Sequence, residues 1–511
     1  MMMQTAGPIF VVLLLTVVGW RLPSVRARQI LFLAASYLLY ASWGMGFLLM
    51  LVISSLLNYV CGSALRRKAT APRLWLGIAL NLLPLAFFKY LPALLELEPG
   101  GSWQYDLGRQ ILMPIGMSFW TFQGLSYLFD IYYEEELDPS LLEFCLYMAF
   151  WPTVFSGPIC RLPRMLPQFR QLSPFNWDDV STGSQRIIQG VMMKFVLGYI
   201  LASGWRPGEG IAAGFDQMKG GWGAVDVWLL GIGFGFLLFF DFAGYSHIVI
   251  GAARIFGIRL PENFDRPFLS ITPSIFWTRW HMSLSFWIRD YVYNPLAIAG
   301  RRLSWWPYAG FVIAMTLFGL WHGAKWTYIV YGVYHGLVLV LHRAGQQMKR
   351  QFSVRLPLDL GAFLSWGTTF LLVAIGFIFF RANDLTQAWT MLKAVVTPAA
   401  YGHFAMPRSF YLLTSASAVG YFGVVAGHSL LVSWRAKYKE AISEGREPIA
   451  RKWPEPVTNL TLIIGAMFHF FSGRLWWWFA PSLAVLGFWV GLVIYTRESV
   501  IAVTPFIYTL F

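Results

Sequence analysis

The sequence predicts an all-α polytopic membrane protein, on three observations. Apolar runs close to the ~20 residues that cross a bilayer recur along the whole 511-residue chain. Hydrophobic residues make up 57% and charged residues only 13%, against about 25% charged in an ordinary soluble domain; mean hydropathy is +0.55. The 39 Lys and Arg, against 25 Asp and Glu, gather in loops between the apolar runs, as they do on the cytoplasmic side of membrane proteins. That clustering accounts for the net charge of +14 without a nucleic-acid partner.

In chain order, spans are expected near 8–20, 29–43, 45–60, 73–95, 110–130, 184–204, 226–252, 306–320, 326–342, 360–380, 411–433, 458–472 and 475–495. The first run has no basic residue before it and no small-residue cleavage site, so it reads as a span and not as a secretory signal. Arg21, Arg26 and Arg28 follow it, and Arg66, Arg67, Lys68 and Arg73 follow the third. Arg254, Arg259, Arg266, Arg279, Arg289, Arg301 and Arg302 fill a long central loop; Arg343, Lys349, Arg350 and Arg355 form the next group, and Arg435 to Lys452 the last. Placing these loops in the cytoplasm puts the N-terminus outside. Several runs are short for a crossing, which is tolerated where the backbone is buried in protein.

Two segments depart from this pattern. Leu141 to Phe155 is apolar but runs into Ser156-Gly157-Pro158 and then Arg161, Pro163 and Arg164, which cannot continue a helix. A re-entrant or in-plane element is expected there. In 384–396, Leu385, Ala388, Trp389, Leu392 and Val395 recur at the spacing of an amphipathic interfacial helix. No soluble domain, internal repeat or low-complexity tail separates from the rest, so residues 1–511 are expected to form one integrated membrane domain.

Chemistry is sought among the titratable residues. Cys61, Cys145 and Cys160 are scattered, without CxxC spacing, and read as small buried side chains. His342 and His428 near span ends, His403 in a loop and His469 in an apolar run read as interfacial or packed. His322 differs: it stands between Trp321 and Gly323 at the end of an apolar run, with Gly319 and Trp326 nearby. Glycine lets a backbone or a substrate approach closely. A buried imidazole is disfavoured in its charged form, so the neutral ring can take up a proton as a general base. A structural core histidine is the competing reading. His281, between Trp280 and Met282 in the basic loop, is a second candidate.

Asp241 lies inside an apolar run, and an intramembrane carboxylate is a functional candidate by default; a structural partner for a cation or a backbone amide is the alternative. The polar loop Pro261 to Pro267, with Arg279 and Arg289, suits the anionic part of a cytoplasmic donor, since arginine forks match phosphates. Simple positive-inside anchoring explains the same residues. Metal catalysis is not expected: His322 and His335 are thirteen apart with no Cys or acidic residue between them, and no HExxH occurs. There is no phosphate-binding glycine fingerprint and no GxSxG elbow, and Gly231-Ile232-Gly233-Phe234-Gly235 reads as close helix packing.

Several blocks together resemble the signature of the membrane-bound O-acyltransferases. They are Phe239 to Tyr245 (FFDFAGY), Pro261 to Phe264 (PENF), Phe276 to Pro295 (FWTRWHMSLSFWIRDYVYNP) and Leu320 to Gly336 (LWHGAKWTYIVYGVYHG). Met113 to Asp130, the Gly157-Pro158-Ile159 turn, Phe379 to Ala382 and Pro505 to Tyr508 add to the likeness. The resemblance covers essentially the whole chain, is strongest to the bacterial polysaccharide branch, and centres on 226–343. It implies a ring of tilted helices, with re-entrant and in-plane pieces, around a tunnel joining a cytoplasmic donor side to an external acceptor side. His322 then matches the family's catalytic histidine and His281 the second conserved position. Asn294 to Gly300, where relatives often read IPLGG, and Lys325 inside the WHGAKW block depart from the pattern. They leave both histidines intact and blur which polymer is served.

The expected function is therefore transfer of an acetyl group from a cytoplasmic thioester such as acetyl-CoA, with no bound cofactor, across a bacterial inner membrane for O-acetylation of an exported, alginate-like polysaccharide. Donor contacts are expected at Asp241, Arg279, Trp280, Arg289 and Trp321. The resemblance implies periplasmic acyltransferase partners and the polysaccharide export machinery. One alternative is the same fold passing D-alanine from a carrier protein. Others are a transporter using Asp241 and His322 as a proton relay, and a non-catalytic assembly scaffold.

Overall fold

Proline, glycine and capping side chains cut this apolar sequence into helices of very unequal length. The computed structural model describes residue 19 and residues 22–443 except 99, 134–135, 173–175, 207, 218–220 and 352–357. Its helices are α1 (Val25–Ala41), α2 (Met45–Arg67), α3 (Ala71–Leu95), α4 (Trp103–Gln110), α5 (Met117–Tyr132), α6 (Leu141–Ala149), α7 (Leu162–Arg170), α8 (Trp177–Val191), α9 (Tyr199–Ser203) and α10 (Ile211–Gln217). Then come α11 (Ala224–Ile255), α12 (Pro273–Trp277), α13 (Met282–Ile288), α14 (Asn294–Ala299), α15 (Trp306–His322), α16 (Trp326–Gln351), α17 (Leu358–Arg381), α18 (Leu385–Val396) and α19 (Arg408–Ser443). The described residues up to Pro407 belong to one compact unit, and α19 to a second that begins at Arg408. The expected spans at 458–472 and 475–495, nearly all of that at 8–20, His469, the basic residues from 446 to 452 and the motif at 505–508 lie outside the described residues, as do the side chains of His428, Arg435, Lys437 and Lys439.

Among the described residues, six helices are long and apolar enough to cross a membrane: Met45–Arg67, Ala71–Leu95, Trp177–Ser203, Ala224–Ile255, Leu360–Arg381 and Arg408–Gly427. Burial separates their roles. The apolar window of α11 is 83% buried, against 28% for α2 and 17% for α3, so α11 is the central helix of its unit while α2 and α3 offer apolar faces to lipid. Helix α8 approaches α11 through glycines: a Cβ on Gly190 would lie 2.4 Å from the Gly244 carbonyl, and one on Gly183 would lie 2.5 Å from that of Gly251. Small residues at such contacts let membrane helices touch backbone to backbone. Gly231 and Gly235 likewise face α17, Gly231 against the Ala374 carbonyl and Gly235 against the Phe377 ring. Between α2 and α3, Asn58 and Asn81 exchange reciprocal amide hydrogen bonds of 3.1 and 2.8 Å.

The segment expected to span 110–130 is shorter than its hydropathy suggests. Gly116 (φ 77°) precedes a 16-residue α5 whose residues are nearly all buried inside the protein. A Cβ at Gly116 would sit 1.9 Å from the Val154 carbonyl. That close approach ties α5 to the turn region after α6. Helix α6 starts in a capping box, Ser140 with Glu143, and stops at Ala149; the chain then turns through Gly157-Pro158. The expected span at 184–204 is carried by α8 and α9, joined by a π turn, Met192–Gly198, that contains Lys194. Helix α18 forms at 385–396 behind the N-cap Asp384, buries Ala388 and Met391, and leaves Trp389 outside.

Candidate active site

His322 is the last residue of α15. That helix starts with Pro307 in its first turn and ends at Gly323. A three-residue link returns the chain into α16, and the two helices pack on glycines. A Cβ on Gly319 would lie 2.1 Å from the Tyr328 carbonyl, and one on Gly332 would lie 2.2 Å from that of Met315. The hairpin tip is thereby held rigidly, with His322 buried at its end. Its ring is walled by Phe318, Trp321 and Phe380 at centroid distances of 5.0, 4.7 and 4.9 Å, with Tyr328 at 6.1 Å.

The last carbonyls of a helix need partners from outside it, and here α3 supplies them. The Tyr90 hydroxyl donates to the Leu320 carbonyl at 2.8 Å, and the Lys89 ammonium donates to that of Trp321. Lys89 also lies 5.0 Å from the centroid of the Trp321 ring. A cation at a helix C-terminus suits the helix dipole. Neither residue was singled out by sequence reasoning. A lone lysine inside the apolar run 73–95 was the available signal.

His281 caps α13 with φ 43°, in the left-handed region that costs a side-chain-bearing residue about 1–2 kcal/mol. Asn263, from the PENF block, holds this conformation. Its carbonyl accepts the Met282 N–H at 2.8 Å, and its side-chain Oδ1 accepts from the Ser283 hydroxyl at 2.7 Å and lies 3.3 Å from His281 Nδ1. Ser283 Oγ accepts the Ile159 N–H at 3.0 Å, and Asn263 Nδ2 faces Ser246 Oγ of α11 at 3.3 Å. One buried asparagine thus ties together α11, the polar loop, the tryptophan-histidine run and the Gly157-Pro158-Ile159 turn. Burial pushes the His281 imidazole down to about 3, so it is neutral at ordinary pH.

Trp321 brings the two histidines to one place. Its ring centroid is 4.7 Å from that of His322 and 6.2 Å from that of His281, and Phe119 and Phe122 of α5 pack on it. Three of the other expected donor residues have partners within the protein. Asp241 is buried in an ion pair with Lys194 of the π turn. Trp280 stacks on Phe276 and packs edge-on against Phe264, well inside the core. Arg289 is exposed and pairs with its neighbour Asp290, which Arg161 also binds at 2.7 Å. Arg279 is half-buried, with no ion pair among the described residues; its carbonyl accepts the Asp265 N–H.

The chain matches the family model described as MBOAT, the membrane-bound O-acyltransferase family, over residues 130–375. It is 34% identical over 380 residues to the probable alginate O-acetylase AlgI of Pseudomonas aeruginosa, covering 72% of this chain and 70% of that protein. The chain belongs to the membrane-bound O-acyltransferase family. It is also 30% identical to the peptidoglycan O-acetyltransferase of Helicobacter pylori, over 71% of this chain and 72% of that one. Identity to the teichoic acid D-alanyltransferase of Streptococcus thermophilus is 33%, over 52% of this chain and 65% of that one. This membrane-bound O-acyltransferase is therefore an enzyme of acyl transfer and a multi-pass membrane protein, and its matched segment contains Asp241, His281 and His322.

Proposed function

We propose that this O-acyltransferase moves an acetyl group from a cytoplasmic thioester such as acetyl-CoA across the inner membrane of a bacterium, for O-acetylation of an exported, alginate-like polysaccharide. The observation that carries it is the placement of His322: a buried imidazole at the tip of a glycine-locked hairpin, joined to His281 through Trp321. His322 takes the proton of the acceptor hydroxyl as its oxygen bonds to the thioester carbonyl carbon. The tetrahedral oxyanion collapses, the C–S bond breaks, and the proton passes from His322 to the departing thiolate. His281 either positions the donor or stabilises that oxyanion. Periplasmic acyltransferase partners and the export machinery carry the acyl group on to the polymer's hydroxyls.

Replacing His322 with Ala abolishes polymer acetylation while the protein stays in the membrane; full acetylation by that variant overturns the mechanism and favours a scaffold. Similarity to the D-alanyltransferase supports a second acyl group for the same site. The D-alanyltransferase match covers 52% of this chain, against 72% for the alginate O-acetylase, which favours acetyl. Mass spectrometry of the modified polymer distinguishes them. A transporter that relays protons through Asp241 and His322 predicts solute flux without thioester consumption, and the ion pair of Asp241 with Lys194 speaks against it.

A further inference from the structure

We infer that Asn263 is a positioning residue that locks His281 with its proton on Nδ1, so that Nε2 meets a reactant as a hydrogen-bond acceptor. The inference rests on the acyl-transfer reading and chooses among the roles open to His281 within it.

The orientation of the Asn263 amide decides the tautomer, and fixed donors decide the orientation. The backbone N–H of Ser283 is a donor under all conditions and lies 3.3 Å from Oδ1. Ser283 Oγ accepts the Ile159 N–H, so its own proton is free to go to Asn263, 2.7 Å away. Two donors therefore converge on this end of the amide, which must be the oxygen. The NH2 end is then directed to Ser246 Oγ. His281 Nδ1, 3.3 Å from the same oxygen, can only donate to it. The short Ser283 bond takes one lone pair, and the two 3.3 Å donors share the other.

Nε2 is left with a lone pair. It is fully buried and has no hydrogen-bond partner among the described residues. A buried acceptor left unmet is unfavourable, so the site gains when a reactant brings an N–H or O–H to it. The groups around the ring are Phe242 of α11, edge-on at 4.7 Å, Trp321 of α15 and Asn263 of the polar loop. No charged side chain forms a hydrogen bond or ring contact with it among the described residues, and burial alone acts on its titration. An acceptor cannot stabilise an oxyanion. His281 is instead suited to accept a hydrogen bond from an amide N–H of the thioester donor or from the acceptor hydroxyl.

The test uses the full-length purified protein in bilayers, with 15N-labelled histidine, and assigns His281 by difference from the His281→Gln variant. The expected signal is protonated Nδ1 and bare Nε2. Asn263→Leu, which removes the acceptor, releases the tautomer and lowers thioester turnover by about 100-fold. Asn263→Asp still accepts from Nδ1 and restores most of the turnover, but it gains an acid limb in its pH profile because a carboxylate beside the ring favours imidazolium. Ser246→Ala, which touches only the NH2 end, leaves the tautomer unchanged. A rise in KM for the thioester assigns the partner group to the donor; a fall in kcat alone assigns it to the acceptor hydroxyl. Protonated Nε2 in the wild-type protein overturns the inference, as does an Asn263→Leu protein with normal turnover and an unchanged pH profile. The labelling readout does not depend on turnover. A protein that shows the expected tautomer but consumes no thioester therefore refutes the acyl-transfer reading and leaves the Asn263 assignment standing.

Discussion

Replacing Gly319 with Ala tests whether the hairpin geometry sets the position of His322. The new Cβ would lie 2.1 Å from the Tyr328 carbonyl and 3.1 Å from the Gly332 Cα, whereas real Cβ atoms do not come within 3.0 Å of a neighbour. Both neighbours are backbone, so no side chain can swing aside, and α15 must move from α16 by about 1 Å. Misplacement of a catalytic group by that amount costs on the order of 100-fold in rate. Gly310→Ala on the same helix is the control, because its Cβ would meet only the Tyr293 ring at 3.4 Å; its rate is expected within about twofold of wild type. Both are assayed as thioester consumption by purified protein, with and without candidate partner proteins, alongside the thermal midpoint. A Gly319→Ala enzyme with wild-type kcat refutes the claim that glycine packing places the imidazole.

Lys89→Met leaves the Trp321 carbonyl without its cap, which costs about 1–3 kcal/mol, and lowers kcat more than it raises KM because it disturbs His322 and not the donor. Steady-state kinetics check the split. Either Lys194→Met or Asp241→Leu alone strands a buried charge and destabilises by about 3–5 kcal/mol; the double replacement recovers most of the thermal midpoint. Burial raises the Asp290 pKa, but the hydrogen bonds from Arg289 and Arg161 outweigh it and hold the carboxyl below its ordinary value. Its contribution to stability is therefore complete above the ordinary carboxylate range and is lost as pH falls through the depressed folded value. Thermal midpoints measured from pH 6 to pH 3 drop at the acid end, and Arg161→Gln makes that drop smaller.

Much of the helix pattern was legible because hydropathy is a local property. The runs at 226–252, 306–320 and 326–342 became α11, α15 and α16; α11 extends to Ala224 and Ile255, α15 to His322, and α16 continues through a polar stretch to Gln351. The run at 110–130 misled because hydropathy does not register a close approach. Gly116 must face the Val154 carbonyl, so the helix starts only at Met117. At the site, His322 and His281 stood out through their tryptophan neighbours. Trp280 and Arg289 shared the same motif, yet the fold employs one in an aromatic core and the other in a surface pair with Asp290.

Read alone, the amino-acid order establishes a helical membrane protein that carries the blocks of an O-acyltransferase, and it marks His322 as the residue to replace first. Composition and short motifs suffice for these, because each is read within a few turns of chain. Which partners the buried polar groups find is a matter of tertiary packing. Lys89 caps a carbonyl 232 residues away, Lys194 pairs with Asp241 47 residues away, and Asn263 reaches His281 18 residues away. These partners are chosen by where helices cross, and an unpaired polar group in a dry interior must find whichever partner the packing brings to it.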